Sequence, residues 1–502
     1  MNAAVLVSDS RRRGRDRYLP RVLVIVAGLG LAAASCGGHP APAASSLPVN
    51  SLTVKACTVD NLAARCGTLI VPEDRLTGQG RTIPVRFVVI PATSPDRAPD
   101  PVVWFAGGPG DSAVDDIPGE YAAISSLNVH RDLVFIEQRG TGQSNPLNCP
   151  EFAGSLADKA ALRASVESCL AHLPGDLRFY TTAMYADDVN QVLGDLHYAT
   201  ANFIGISYGT IAEQVFLLRH PARVRTLTLI SGSPLNVPVY DPWPGNSQLA
   251  LDYVFALCQS QPDCHQAFPH LGADWAALWA SVGKAPVVLP AAQSPTKTTV
   301  RLDQNELEYS AYQAMFTGNI SPIPVVVHTL AAARNKAAAL ASVISAFPAS
   351  PSSGANQMLF YAFRCDEPWA SVQPAVLSGQ QSSFAYQTAL EDAQWFQYVC
   401  PLIPKSAAAV GNEHLTVSTV PLLAFNGAYD PIEQPRNWAW AQKFFPDSRD
   451  ITLPGQGHDT TDNWGLCAGT LTQTFIEQAT VAHLDTSCLA SAAAPPFDLT
   501  LP

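Results

Sequence analysis

The sequence predicts an α/β protein: a mostly parallel, doubly wound sheet with a cap of helices inserted between the sixth and seventh core strands. Three observations carry this. Apolar, β-branched runs recur at 67–71, 83–90, 102–105, 132–136, 202–206, 225–230, 420–425 and 450–453. Most are continuous rather than alternating, as strands buried on both faces are. Helical patterns stand between them, notably 185–197 and 208–219, and strand alternating with helix implies parallel pairing through right-handed crossovers. From 236 to 418 the rhythm breaks into an alanine-rich stretch of helical segments (248–258, 273–282, 305–317, 325–347 and 380–399) punctuated by prolines. The strand pattern then resumes.

Taken in order, the chain opens on an address rather than on structure. Arg11, Arg12, Arg13, Arg15, Arg17 and Arg21 form a basic segment, 22–34 is apolar, and Ala32-Ala33-Ala34-Ser35-Cys36 closes it with small residues. That apolar stretch is short for a bilayer span, so residues 1–35 read as a signal peptide. One reading is ordinary secretory cleavage near Ala34. The other is a bacterial lipoprotein signal, with Cys36 as the lipidated first residue and membrane anchor. Gly37-Gly38 and a Pro/Ala/Ser-rich tether over 36–51 suit the second, whereas Ala33, where such signals carry leucine, counts against it. Residues 52–235 form the first part of the core, 236–418 the cap, and 419–502 the second part. The runs on either side of 73–81 look like a leading antiparallel hairpin.

Composition sets outer limits. A chain of 502 residues with 47% apolar and 14% charged residues is well buried and globular, not disordered. Its formal charge of −12 argues against nucleic acid and anionic membrane as partners. The expected state is a monomer.

The most informative residues are Gly205-Ile206-Ser207-Tyr208-Gly209, directly after the apolar run 201–204. G-x-S-x-G between strand and helix is a nucleophile elbow: a sharp turn that lifts a serine hydroxyl clear of the sheet, in front of a helix N-terminus. A serine needs a histidine to take its proton, and the histidine needs a carboxylate to hold its tautomer. Both follow in the order Ser, Asp, His. Asp430 lies in Asn426-Gly427-Ala428-Tyr429-Asp430-Pro431 after one strand, and His458 in Pro454-Gly455-Gln456-Gly457-His458-Asp459 after the next. Glu433 is an outside rival for the acid. Gly107-Gly108-Pro109-Gly110, after the run 102–105, is the oxyanion-loop candidate, with the N–H groups of Gly108 and Tyr208 as donors.

With Glu137-Gln138-Arg139-Gly140-Thr141-Gly142-Gln143-Ser144 added, the chain resembles the proline iminopeptidase and tripeptidyl aminopeptidase branch of the α/β-hydrolase fold, from Cys57 to Cys488. The resemblance implies removal of residues from the free N-terminus of short peptides, beneath a helical cap. It departs at Glu137, where the family shows aspartate, and at Ala106, where proline iminopeptidases have histidine. Ala106 tilts the reading toward the secreted tripeptidyl branch. At Glu433 the family often has threonine. Arg139 is read as tying loops together rather than touching substrate. Relatives carry an acid two residues after the cysteine at Cys365, which corresponds to Glu367. Asp366-Glu367 is therefore the place to seek the acceptor of the substrate's ammonium group, a solvated acidic turn being the equal alternative.

Beyond Cys36 ten cysteines remain, and they fall into sequence-adjacent couples: Cys57–Cys66, Cys149–Cys169, Cys258–Cys264, Cys365–Cys400 and Cys467–Cys488. Five short-range disulfides in an exported protein are the expectation. The histidines form no HExxH or comparable metal-ligand set, and no P-loop or dinucleotide fingerprint appears, so no cofactor is expected. The reading is an exported serine aminopeptidase releasing one to three residues. Its alternative is an esterase or amidase acting on small molecules with the same triad.

Overall fold

The computed structural model describes residues 48–501 except 151, 153–155, 236–239, 241, 347–355, 368–369, 371–375, 407–413, 439–440, 459–464 and 492–493. The signal segment, most of the tether and Cys36 lie outside the described residues. Eleven strands are present among those described: β1 (Leu52–Val59), β2 (Leu62–Pro72), β3 (Thr82–Ile90), β4 (Val102–Phe105), β5 (Leu133–Ile136), β6 (Ala201–Ile206), β7 (Val224–Ile230), β8 (Val287–Leu289), β9 (Val300–Leu302), β10 (Leu422–Gly427) and β11 (Ser448–Leu453). Nine make one sheet in the order β1-β2-β3-β5-β4-β6-β7-β10-β11. The first four in that order pair antiparallel, and from β5 onward every pair is parallel.

The central strands are buried on both faces, which is why their sequences run apolar without alternation: β4 reads Val-Val-Trp-Phe and all four residues are buried. One face packs against helices Lys159–His172, Thr182–Asp195 and Tyr208–Arg219. The other packs against Ala113–Ile124 and Gly465–Gln478. The two faces are separate apolar clusters divided by the sheet.

Between β7 and β10 lie helices Trp243–Ser260, Pro262–Ala267, Leu271–Lys284, Gln304–Phe316, Ile323–Ala332, Lys336–Ala346, Gln357–Asp366 and Tyr386–Val399, with an antiparallel ribbon of β8 and β9. Most of this insert has apolar cores of its own.

The structure departs from the sequence expectations in six places. β1 was not expected; it is an edge strand whose residues 53–56 are exposed, so it carries no continuous apolar run. Because it adds a strand, the insert follows the seventh strand of the large sheet rather than the sixth. The helix expected over 325–347 is two, broken before Lys336. Asn335 accounts for the break, since its side chain accepts the Ala338 N–H at 3.2 Å and starts a new helix. Helix Gln357–Asp366 and the β8–β9 ribbon were also unforeseen, and the helix expected over 380–399 begins only at Tyr386.

Disulfides join Cys57 to Cys66, Cys149 to Cys169, Cys258 to Cys264, Cys365 to Cys400 and Cys467 to Cys488. None of the described helices is long and apolar enough to cross a membrane.

Stability should fall as pH rises, because several carboxyls are buried without a cation. Burial pushes Glu433 and Glu308 up to about 7, each against hydrogen bonds that partly offset it. Glu213, in the helix behind Ser207, is displaced well upward by burial alone. A carboxyl raised in the folded state keeps its proton after the unfolded chain has lost it. Its stabilisation is therefore complete below about pH 4.5 and gone once pH passes about 7. At about 1.4 kcal/mol per pKa unit, Glu433 and Glu308 each contribute on the order of 3 kcal/mol. Thermal unfolding at pH 5 and pH 8 checks this: the midpoint should be lower at pH 8, and Glu308→Gln should shrink the difference.

Candidate active site

Ser207 stands between β6 and helix Tyr208–Arg219 with φ +52° and ψ −120°, a strained conformation for a residue with a side chain. The two elbow glycines make it possible. A Cβ on Gly205 would lie 2.5 Å from the Gly209 carbonyl carbon, and one on Gly209 would run into the Phe105 carbonyl oxygen at the end of β4. The Ser207 N–H is held by the Ile230 carbonyl at 2.9 Å. Its side chain does not cap the helix, so the hydroxyl is left for other use.

That hydroxyl lies 2.9 Å from His458 Nε2, and His458 Nδ1 lies 2.8 Å from Asp430 Oδ2. The other oxygen of Asp430, Oδ1, accepts the N–H groups of Ile432 at 2.9 Å and Glu433 at 2.8 Å. Asp430 is fully buried and His458 is 4% exposed, so the pair is shielded from water's competition. Glu433, the rival acid, points elsewhere: its carboxyl accepts from Ser233 and, at 3.3 Å, from Asn437.

The candidate oxyanion loop comes alongside. The Cβ position of Gly107 lies 3.6 Å from Ser207 Cβ, and Gly108 sits at φ +101°, open only to glycine. Tyr208 is the first residue of its helix, so its N–H has no acceptor within the helix. Ser207, His458, Asp430, Gly108 and Tyr208 are thus gathered at the C-terminal ends of the parallel strands, where open α/β sheets keep their ligands.

The family whose description is "alpha/beta hydrolase fold" matches residues 100–266, which contain the oxyanion loop and the elbow. The chain has the α/β-hydrolase fold. A second match, described as "TAP-like protein", covers 387–488 and so spans Asp430 and His458. The chain is similar to a tripeptidyl aminopeptidase of Streptomyces lividans, 27% identical over 33% of this chain and 35% of that one. It is also similar to the serine protease Hip1 of Mycobacterium tuberculosis, 26% identical over 42% of this chain and 44% of that one. The chain spans between a third and a half of the length of the curated relatives it matches. A solved proline iminopeptidase of Mycobacterium smegmatis aligns at 16% identity over 82% of this chain and 98% of its own, with a TM-score of 0.36. The chain's relatives thus include a TAP-like family and a serine protease.

Arg139 is fully buried and touches no part of the triad. Its Nε and Nη2 each donate to the Asp188 carboxylate at 2.7 Å, and Nη1 donates to the carbonyls of Glu73 and Phe179 at 2.8 and 2.7 Å. Glu137 accepts from Ser112 at 3.1 Å and from Ser144 and the Gln143 N–H at 2.8 Å, tying the oxyanion loop's flank to the loop after β5.

Glu367 ends helix Gln357–Asp366 and is 2% exposed, so it is not a solvated turn. Its carboxylate accepts the Thr182 N–H at 2.8 Å and the Thr182 hydroxyl at 2.7 and 2.8 Å. That hydroxyl also meets the Tyr208 phenol at 2.9 Å. Asp366 accepts the Ser406 N–H at 3.0 Å.

The sequence did not indicate how the insert braces the loops that carry Asp430, His458 and Gly110. Phe316 stacks on His458 with ring centroids 4.3 Å apart, and its carbonyl accepts the His458 N–H at 3.0 Å. Asn246 and Ser247 donate to the carbonyls of Ile432 and Pro431 at 2.6 and 2.8 Å, beside Asp430. The Asn356 N–H reaches the Gly110 carbonyl at 2.9 Å. Acid loop, histidine loop and oxyanion loop are each fastened to a different helix of the insert or to its cap residue.

Proposed function

We propose that this hydrolase is an exported aminopeptidase, cleaving short peptides near their free N-terminus through an acyl-enzyme on Ser207. The observation that carries the reading is the unbroken hydrogen-bonded series Ser207–His458–Asp430 at a strained elbow. In this reading His458 Nε2 takes the hydroxyl proton as Ser207 Oγ bonds to the scissile carbonyl carbon. The N–H groups of Gly108 and Tyr208 receive the oxygen that becomes negative. His458 then gives the proton to the departing amine, and water, activated by the same histidine, releases the acyl group. Asp430 keeps Nδ1 protonated so that Nε2 can accept.

The relatives' printed activities support peptides as substrates. The reading requires an acid to receive the ammonium group; Glu367, beside Thr182 and Tyr208, is the candidate that the sequence nominates. Five disulfides support a site of action outside the reducing cytoplasm, reached through the leader, with Cys36 as the point of lipid attachment.

The test is hydrolysis of matched chromogenic peptides, one and three residues long, each with free and acetylated N-terminus. Free-amine peptides should be cleaved by wild type, and Ser207→Ala should lose on the order of 10³-fold or more in kcat. Equal rates on blocked peptides, or activity on simple esters alone, would transfer the protein to the esterase or amidase class.

A further inference from the structure

We infer that Asp111 is the acceptor for the substrate's α-ammonium group and, by standing beside Ser207, restricts release to a single N-terminal residue. The inference rests on the aminopeptidase reading and deepens it by naming the acceptor and the length removed.

Asp111 follows directly on Gly107-Gly108-Pro109-Gly110. Its carboxylate turns back over that loop: Oδ2 lies 3.5 Å from the point where a Cβ of Gly107 would stand, and equally far from that of Gly108. The same Gly107 point is 3.6 Å from Ser207 Cβ. Acid and nucleophile therefore flank one spot on the floor of the site. Asp111 is only partly buried, so a ligand can reach it.

The carboxylate has no evident internal duty. Helix Ala113–Ile124 is capped by Ser112, whose hydroxyl oxygen accepts the Asp115 N–H at 3.2 Å, not by Asp111. Among the described residues no hydrogen bond or ion pair engages the Asp111 carboxylate. Desolvation without a partner pushes it up to about 6. Near neutral pH it is an anion held at a cost that a docking cation would relieve.

Its position also opposes the chemistry of the wrong substrate. An ionised carboxylate over Gly107 and Gly108 repels the oxyanion forming beside it, and so raises the barrier. An N-terminal ammonium pairs with that charge; an acetylated terminus cannot. Discrimination thus arises both in binding and in the reacting complex.

Reach sets the length. The α-nitrogen of a residue lies about 2.5 Å from its own carbonyl carbon, so attack on the first peptide bond brings the ammonium to the side of Ser207 where Asp111 waits. Attack after the third residue carries it about 7 Å further along an extended chain. Glu367 is less available, since its oxygens take three bonds from Thr182.

The experiment compares kcat/KM for one-residue and three-residue chromogenic peptides, free and acetylated, in wild type, Asp111→Asn, Asp111→Ser and Glu367→Gln, with fluorophosphonate labelling of Ser207 as the check on the nucleophile. The one-residue free amine should be the preferred substrate. Both Asp111 variants should label, yet lose roughly 10–100-fold of the preference for free over acetylated ends. Glu367→Gln should retain that preference. The inference is overturned if Asp111 variants keep the preference, if Glu367→Gln alone destroys it, or if three-residue release dominates. It is equally overturned if neither Asp111 variant labels, for the residue then holds the loop rather than the substrate. Undiminished activity in Ser207→Ala is a separate result: it removes the aminopeptidase reading itself, and Asp111's role with it.

Discussion

Asp430→Asn should lower kcat by roughly 10⁴-fold while leaving the protein folded. The reason is the division of labour between the two carboxylate oxygens. Oδ1 accepts the backbone N–H groups of Ile432 and Glu433, and Oδ2 faces His458 Nδ1. An asparagine must place its one carbonyl oxygen toward the two N–H donors, because an amide NH2 there would meet them donor against donor. The NH2 then faces Nδ1 and forces the histidine into the tautomer with its proton on Nε2. That nitrogen would donate to Ser207 instead of accepting from it, and the hydroxyl loses its base. Steady-state kinetics on a free-amine peptide, together with thermal unfolding, checks this. Glu433→Gln is the control: its carboxyl bonds Ser233 and Asn437 rather than His458, so its effect on kcat should be far smaller.

Asp188→Leu should destabilise the protein by about 3–5 kcal/mol, more than Arg139→Met does. The asymmetry comes from who remains paired. Asp188 serves two guanidinium groups, Arg139 and, through Oδ1 at 2.5 Å, Arg75. Removing Arg139 leaves the buried aspartate with Arg75. Removing Asp188 leaves a wholly buried guanidinium bonded to two carbonyls and to no carboxylate. The double variant Arg139→Met/Asp188→Leu should recover part of the loss, since no unpaired charge stays behind. Chemical denaturation of the three variants gives the order. A smaller loss in Asp188→Leu than in Arg139→Met would show that the carbonyls alone satisfy the guanidinium.

Legibility in the sequence followed burial and locality. β4 and β6 are plain because both faces are covered and every residue but Asn202 is apolar or small, and helix Tyr208–Arg219 because the elbow marks its start. β1 was hidden because it lies at the edge and exposes Lys55 and its neighbours. The break before Lys336 hung on one asparagine side chain inside an alanine-rich run, where a continuous helix has much the same pattern.

At the site, Ser207, Asp430 and His458 could be nominated one by one because each sits in its own glycine-containing turn after a strand, a local requirement visible in local sequence. Asp111 could not, since an acid after a glycine-proline turn reads as an ordinary solvated residue until the loop is seen folding over Ser207. Glu367 was nominated as an acid of interest, but its bonds to Thr182, 185 positions away, were invisible. The sequence alone thus determined the fold class, the elbow and the order of the triad, because turns and buried strands impose their demands on neighbouring residues. Only the tertiary structure decided which acid faces the histidine, which acid is left unpaired beside the nucleophile, and which helices of the insert hold the catalytic loops. Those are contacts between separate segments, 28 positions apart for His458 and Asp430 and 251 for His458 and Ser207, and no pattern within one segment records the approach of another.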